Sequence, residues 1–143
     1  MKIYVASSWR CDRQPDVVKA LRAVGFDVYD FRNPPGKNGF QWFEIDPDWE
    51  QWSMPKFCAS LEHPRAKAGF DEDFNAMRNA DACVLVLPCG RSAHLEAGWF
   101  VGKGKPLIVL LDEPNEPELM YKMACALCIG ISGVIEAVKQ LAP

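Results

Sequence analysis

The sequence predicts an α/β fold, a doubly wound parallel sheet with helices on both faces that makes a three-layer sandwich. Three observations predict it. Short apolar runs alternate with segments whose apolar residues recur at helical spacing, the pattern of repeated strand–helix–strand units. Turn-forming glycines and prolines stand between these segments rather than inside them. One stretch, residues 81–106, holds a whole crossover: the apolar run Ala82 to Leu87, the break Pro88-Cys89-Gly90, a helical pattern, the stop Gly102-Lys103-Gly104-Lys105-Pro106, and a second apolar run, Leu107 to Leu111.

Taken in order, Lys2 to Ala6 reads as the first strand. Gln14-Pro15 opens a helix to about Val24, with Val17, Val18, Leu21 and Val24 on one face, and Gly25 closes it. Phe26 to Phe31 is the second strand. Residues 32–50 are irregular: Asn33-Pro34-Pro35-Gly36-Lys37-Asn38-Gly39 is turn chemistry, followed by Phe40, Trp42, Phe43, Trp49 and Trp52. A helix is expected to start near Asp48 and another to span Ala66 to Asn79. Ala82 to Leu87 is the third strand, residues 92–102 a helix with Ser92 as its plain cap, and 107–111 the fourth strand. Asp112 to Pro117 reads as a loop, Glu118 to Ala124 as a short helix, and Leu127 to Ile131 as a weak fifth strand. Ser132 is expected to cap a last helix to about Leu141. Residues 1–143 read as a single domain, and the long loop at 32–50 suggests a functional lid.

Composition narrows the function. A formal charge of −3 and a pI near 5.4 argue against a general nucleic-acid binder, which needs a basic face. No apolar run approaches the roughly 20 residues of a membrane span, so no membrane partner is expected. The first residues enter a strand-like run too short for a signal-peptide core, and a cytoplasmic location is expected. The six cysteines are then expected as thiols, with Cys125-Ala126-Leu127-Cys128 read as small buried hydrophobes rather than a redox pair. His63 and His94 are not at metal-ligand spacing, and neither a Walker loop nor G-x-G-x-x-G occurs, so no metal and no cofactor is expected.

Ligands of open parallel sheets sit beyond the carboxyl ends of the strands. Three groups belong there: Ser7-Ser8-Trp9-Arg10 after the first strand, the acids Asp71-Glu72-Asp73 one helix before the third, and Gly90-Arg91-Ser92 with Glu96 after the third. Two carboxylates around one pocket suit a glycosidic bond, one attacking the anomeric carbon and the other protonating the leaving group. Each group also has a plainer reading. Glu96 fits a solvated helix residue, the acid cluster a helix start, Arg91 a surface charge, and the aromatics at 40–52 a small satellite core.

Four segments together resemble the nucleoside 2-deoxyribosyltransferase family and its relatives that hydrolyse nucleoside 5′-monophosphates. Ile3 to Trp9, with Asp12-Arg13-Gln14, is similar to the family's first strand and loop. Asp73 to Asp81 is similar to its D-x(7)-D helix, Glu96-Ala97-Gly98-Trp99 with Gly104-Lys105-Pro106 to its nucleophile helix, and Glu118-Leu119-Met120 to a segment that reaches a neighbouring subunit's site. The resemblance implies a five-stranded parallel sheet in flavodoxin-like order 2-1-3-4-5 and a homodimer or larger assembly. It implies Glu96 as the nucleophile that forms a glycosyl-enzyme, Asp73 as the group that assists protonation of the base, and Tyr4 as the hydroxyl that orients Glu96. A small nucleoside or nucleotide is the implied partner. Ser7, Trp9 and Asp30 are expected to contact it, with Gly90, Arg91 and Ser92 at its sugar end, Phe40 and Trp42 over its base, and Met120 completing the site.

Two positions depart from the transferases of the family. Gly90 stands where they place an acid six residues before the nucleophile, and Glu118 where they place an amide. Losing the first acid removes repulsion toward a phosphate, and Arg91 and Ser92 at a helix N-terminus suit an anion. Glu118 opposes a phosphate if it turns inward, and the related hydrolases often carry serine at the Gly90 position. Transfer to a base and transfer to water both stay open. A TIR-like NAD glycohydrolase and a nucleotide-binding module without turnover are the rival readings.

Overall fold

A computed structural model describes residues 1–112 and 117–142. Five parallel strands, β1 (Lys2–Ala6), β2 (Asp27–Asp30), β3 (Ala82–Val86), β4 (Leu107–Leu110) and β5 (Ala126–Cys128), form one sheet in the order β2-β1-β3-β4-β5. This is the flavodoxin-like order. The five helices are α1 (Gln14–Ala23), α2 (Met54–Ser60), α3 (Pro64–Asn79), α4 (Arg91–Gly102) and α5 (Ile131–Leu141). The chain folds as two compact units, Met1–Asp30 with Asn79–Pro143, and Phe31–Arg78.

The first unit contains the whole sheet. Adjacent strand residues face opposite sides, so each strand builds two layers. Ile3, Val5, Val84, Val86, Ile108 and Leu110 meet Val17, Val18 and Leu21 of α1 and Val134 and Val138 of α5. Tyr4 faces the other way, where its ring lies 5.7 Å from that of Phe100 on α4. Helices therefore cover both faces. β1 and β3 are buried nearly throughout, as expected of central parallel strands. Gly25, with φ of 92°, closes α1 as its sequence position predicts. Arg13 Nη1 donates to the Leu111 carbonyl at 2.7 Å, joining the first loop to the end of β4.

The second unit is more than the loop expected at 32–50. The Lys37 amide closes a turn onto the Pro34 carbonyl at 3.1 Å, and Gly36 there has φ of 72°. No α-helix starts at Asp48. Residues 49–51 make one 3₁₀ turn, and α2 begins at Met54, where Ser53 Oγ accepts from the Lys56 amide at 3.3 Å and Pro55 fills the first turn. Trp42 gathers Phe40, Trp52 and Phe57, with ring centroids 4.8, 5.6 and 6.0 Å away. Gly69 of α3 passes so close to Phe40 that a Cβ there would lie 2.7 Å from the Phe40 Cβ. Arg65 ties this cluster together, pairing with Glu44 at 2.5 Å and lying 5.2 Å over the Phe40 ring.

Two expected caps move. Gly90, not Ser92, caps α4, and Gly130, not Ser132, caps α5. Glycine accepts the extended backbone of a cap nearly as well as serine does, and both helices begin directly after it. The expected 112–117 loop falls partly on residues outside those described. The short helix at 118–124 is a 3₁₀ segment, Leu119–Met123.

Candidate functional site

β3 ends against a sharp break, and α4 starts four residues beyond Leu87, at Arg91, after a cap that carries no side chain. A Cβ on Gly90 would meet nothing within 4 Å, so the cap amide end of α4 is open. A cavity of about 520 Å³ lies there, lined by Cys89, Gly90, Arg91, His94, Leu95, Glu118, Met120 and Tyr121. Three expected contacts, Gly90, Arg91 and Met120, thus share one wall system. Glu118 lines the same space as Arg91, so the cavity holds an acid as well as a cation. Ser92 is exposed on the first turn of α4, outside this lining.

Glu96 stands in the second turn of α4. Ala93, Ala97 and Phe100 form the buried face of that helix, and Glu96 is half-buried on its flank, one turn before Phe100. Phe100 packs on Tyr4, whose own ring stacks on Tyr29 at 5.5 Å. Tyr4 pairs in register with Cys83 of β3. The negative field of Glu96 reaches this thiol. Burial pushes Cys83 well above its ordinary range, and Glu96 adds to the effect. Cys89 is pushed up to about 12, mainly by burial, with Cys11, Glu96 and Asp112 contributing. Glu96 follows His94 and Leu95 of the cavity wall along α4 but is not itself among the lining residues. Cys89 stays a neutral thiol near neutral pH and is not a nucleophile there.

The loop after β1 is held to the end of β3: Ser7 Oγ donates to the Val86 carbonyl at 2.8 Å, and the Cys11 thiol reaches the Leu87 carbonyl at 3.7 Å. Trp9 follows Ser7 and is 40% exposed. Asp30, at the carboxyl end of β2, is buried and accepts from Gln14 Nε2 at 2.8 Å. Asp73, Phe40 and Trp42 belong to the second unit. Asp73 is half-buried on α3, and Phe40 and Trp42 pack edge to face in the aromatic cluster.

His94 and Tyr121 were not expected at the site. His94 Nε2 lies 2.9 Å from the Tyr121 hydroxyl, and His94 Nδ1 lies 2.9 Å from the Gly90 carbonyl. The signal was available: His94 follows Arg91 by three residues and so shares its helix face, and Tyr121 adjoins Met120. Among the described residues, no three His, Cys, Asp or Glu side chains gather into a metal site, and no helix is long and apolar enough to cross a membrane.

Three solved structures resemble this one along nearly its whole length. A 2-deoxyribosyltransferase of Bacillus psychrosaccharolyticus superposes with a TM-score of 0.67 at 20% identity, covering 94% of this chain and 90% of its own. The CMP N-glycosidase BcmB of Clostridium botulinum gives 0.53 at 15% identity, over 97% and 99%. A conserved protein of Enterococcus faecalis V583 gives 0.64 at 14% identity, over 99% of each chain. The fold is shared with all three. No protein-family model and no curated protein sequence matches the chain.

Proposed function

We propose that this protein cleaves the N-glycosidic bond of a nucleoside or nucleoside 5′-monophosphate and passes the sugar to water or to another base. The observation that carries the reading is the position of Glu96, half-buried on α4 directly after His94 and Leu95, which line a cavity beyond the end of β3. Two structures of the same fold belong to proteins described as a 2-deoxyribosyltransferase and a CMP N-glycosidase, and this supports the reaction class.

In the proposed reaction the Glu96 carboxylate attacks C1′ and the bond from C1′ to the base nitrogen breaks. Asp73 assists protonation of the departing base. Water or a second base then attacks C1′, and the Glu96 carboxylate is released. Tyr4 is proposed to orient Glu96, which fits its contact with Phe100 one turn along α4. Arg91 and the open amide end of α4 suit the sugar's 5′ end, whether hydroxyl or phosphate. Glu118 in the same cavity weakens the case for a phosphate and leaves an uncharged 5′ end acceptable. The protein is further proposed to be a homo-oligomer, which fits the exposure of Leu95, Leu119 and Met120 at 77, 77 and 62%.

The test is chromatographic detection of free base from a panel of ribo- and deoxyribonucleosides and their 5′-monophosphates, with and without an acceptor base. Base released without acceptor supports hydrolysis, and a new nucleoside formed only with acceptor supports transfer. Release of nicotinamide from NAD, with every nucleoside untouched, would replace this reading by the NAD glycohydrolase. Glu96→Gln is expected to lower turnover by about 10⁴ with folding unchanged, and a loss smaller than about tenfold refutes its role as nucleophile.

A further inference from the structure

The segment Leu119–Met123 buries none of its residues. Among the described residues its backbone makes short-range bonds, Tyr121 amide to Glu118 carbonyl at 3.2 Å and Ala124 amide to Tyr121 carbonyl at 2.9 Å. A 3₁₀ turn of this length, with no buried apolar side chain, has little intrinsic stability. Yet it carries Met120 and Tyr121 and adjoins Glu118, all of which line the cavity, as His94 does from α4. Among the described residues, one side-chain hydrogen bond leaves the segment, from Tyr121 to His94 of α4 at 2.9 Å. The two rings also lie nearly parallel, 10° apart, with centroids 5.9 Å from each other.

The direction of this bond is fixed by the other side of the imidazole. The Gly90 carbonyl can only accept, so His94 Nδ1 carries the proton toward it. In the neutral ring Nε2 is then the acceptor, and the Tyr121 hydroxyl donates. A continuous chain results, from Tyr121 through His94 to the carbonyl of the residue that caps α4. One end sets the Met120 segment and the other sets the peptide beside the open helix terminus.

We propose that Tyr121, acting through His94, is a positioning residue that holds the Glu118–Met123 segment in the place from which it contacts substrate, and so sets substrate affinity rather than the rate of bond cleavage. This rests on the proposed glycosidic reaction for its substrate part and on geometry alone for the tether. Removing one hydroxyl leaves the ring in place, so Tyr121→Phe isolates the bond.

Two measurements on the full-length protein test it. In hydrogen exchange, Tyr121→Phe is expected to speed the amides of residues 118–124 by about tenfold while the β1 and β3 amides keep their rates. In kinetics, it is expected to raise KM by about tenfold with kcat within about threefold. His94→Ala should produce both effects at least as strongly, since it also removes the ring contact, and adding Tyr121→Phe to His94→Ala should change nothing further, because the bond is already gone. Unchanged exchange at 118–124 overturns the tether. A fall in kcat at constant KM overturns the affinity role and places Tyr121 in the chemistry. A wild-type protein that releases no base from any nucleoside or nucleotide overturns the reaction and the substrate part with it, while the exchange result still decides the tether.

Discussion

Cys89 and Cys83 are the residues whose chemistry is most altered by the fold. Both thiols are raised by burial and, further, by the charge of Glu96. The ordinary value is near 9.0, so above that pH the unfolded chain loses these protons while the folded chain keeps them. The unfolded state then binds fewer protons, and stability falls as pH rises from about 9 toward about 12. Urea midpoints are expected to drop between pH 8 and pH 10.5, with a smaller drop in Cys89→Ala; equal slopes in the two proteins would refute the assignment. The place of Glu96 on α4 was legible from the helical pattern around it. The His94–Tyr121 bond was not, because it joins residues 27 apart and depends on how the 3₁₀ segment lies on α4.

At the scale of the element, the second unit is held by close fits rather than by a wide core. Gly69 leaves Phe40 no room to yield, since an added Cβ meets its side chain at 2.7 and 3.0 Å. Gly69→Ala is expected to destabilise this unit by about 1–3 kcal/mol through overpacking. The change would be read by the fluorescence of Trp42 and Trp52 at increasing urea, and a variant as stable as the parent would show that Phe40 moves aside at little cost. Apolar periodicity made the first four strands legible to within a residue, because two-sided burial leaves little choice for runs such as Ala82–Val86, whereas the fifth, expected over 127–131, is Ala126–Cys128, and Ile131 already starts α5. Helix starts were less so. Glycine caps at 90 and 130 were passed over for the serines two residues on, and the Ser53–Pro55 start of α2 was hidden among aromatic residues.

Across the whole molecule, strand order was legible through motif resemblance, since alternation alone gives a parallel sheet without fixing which strands are neighbours. The division into two units was not legible. Residues 31–78 contain no valine and are rich in aromatic residues, but with their turns they read as an irregular loop and a helix rather than as a separate unit. The exposed apolar residues of the first unit bear on assembly. Leu95, Leu119, Leu127 and Ile129 are 77, 77, 51 and 89% exposed, and an assembly that covers them would remove that apolar surface from water. Sedimentation is expected to give a dimer or larger species, and Leu95→Glu to shift it toward the monomer. A parent protein that sediments as a monomer at micromolar concentration would refute the assembly.

The second unit leaves and rejoins the first at only two peptide links, after Asp30 and after Arg78. A parallel sheet asks little of the connection between successive strands, here β2 and β3 on either side of β1, beyond a minimum reach and the correct hand. Residues 31–78 can therefore gain, lose or exchange sequence without disturbing a single ladder bond between β1 and β3. The stretch is thus a cassette as far as the sheet is concerned: a chimaera that carries a foreign segment between Asp30 and Asn79, with an acid kept at the place of Asp73, leaves every strand pairing of the first unit intact.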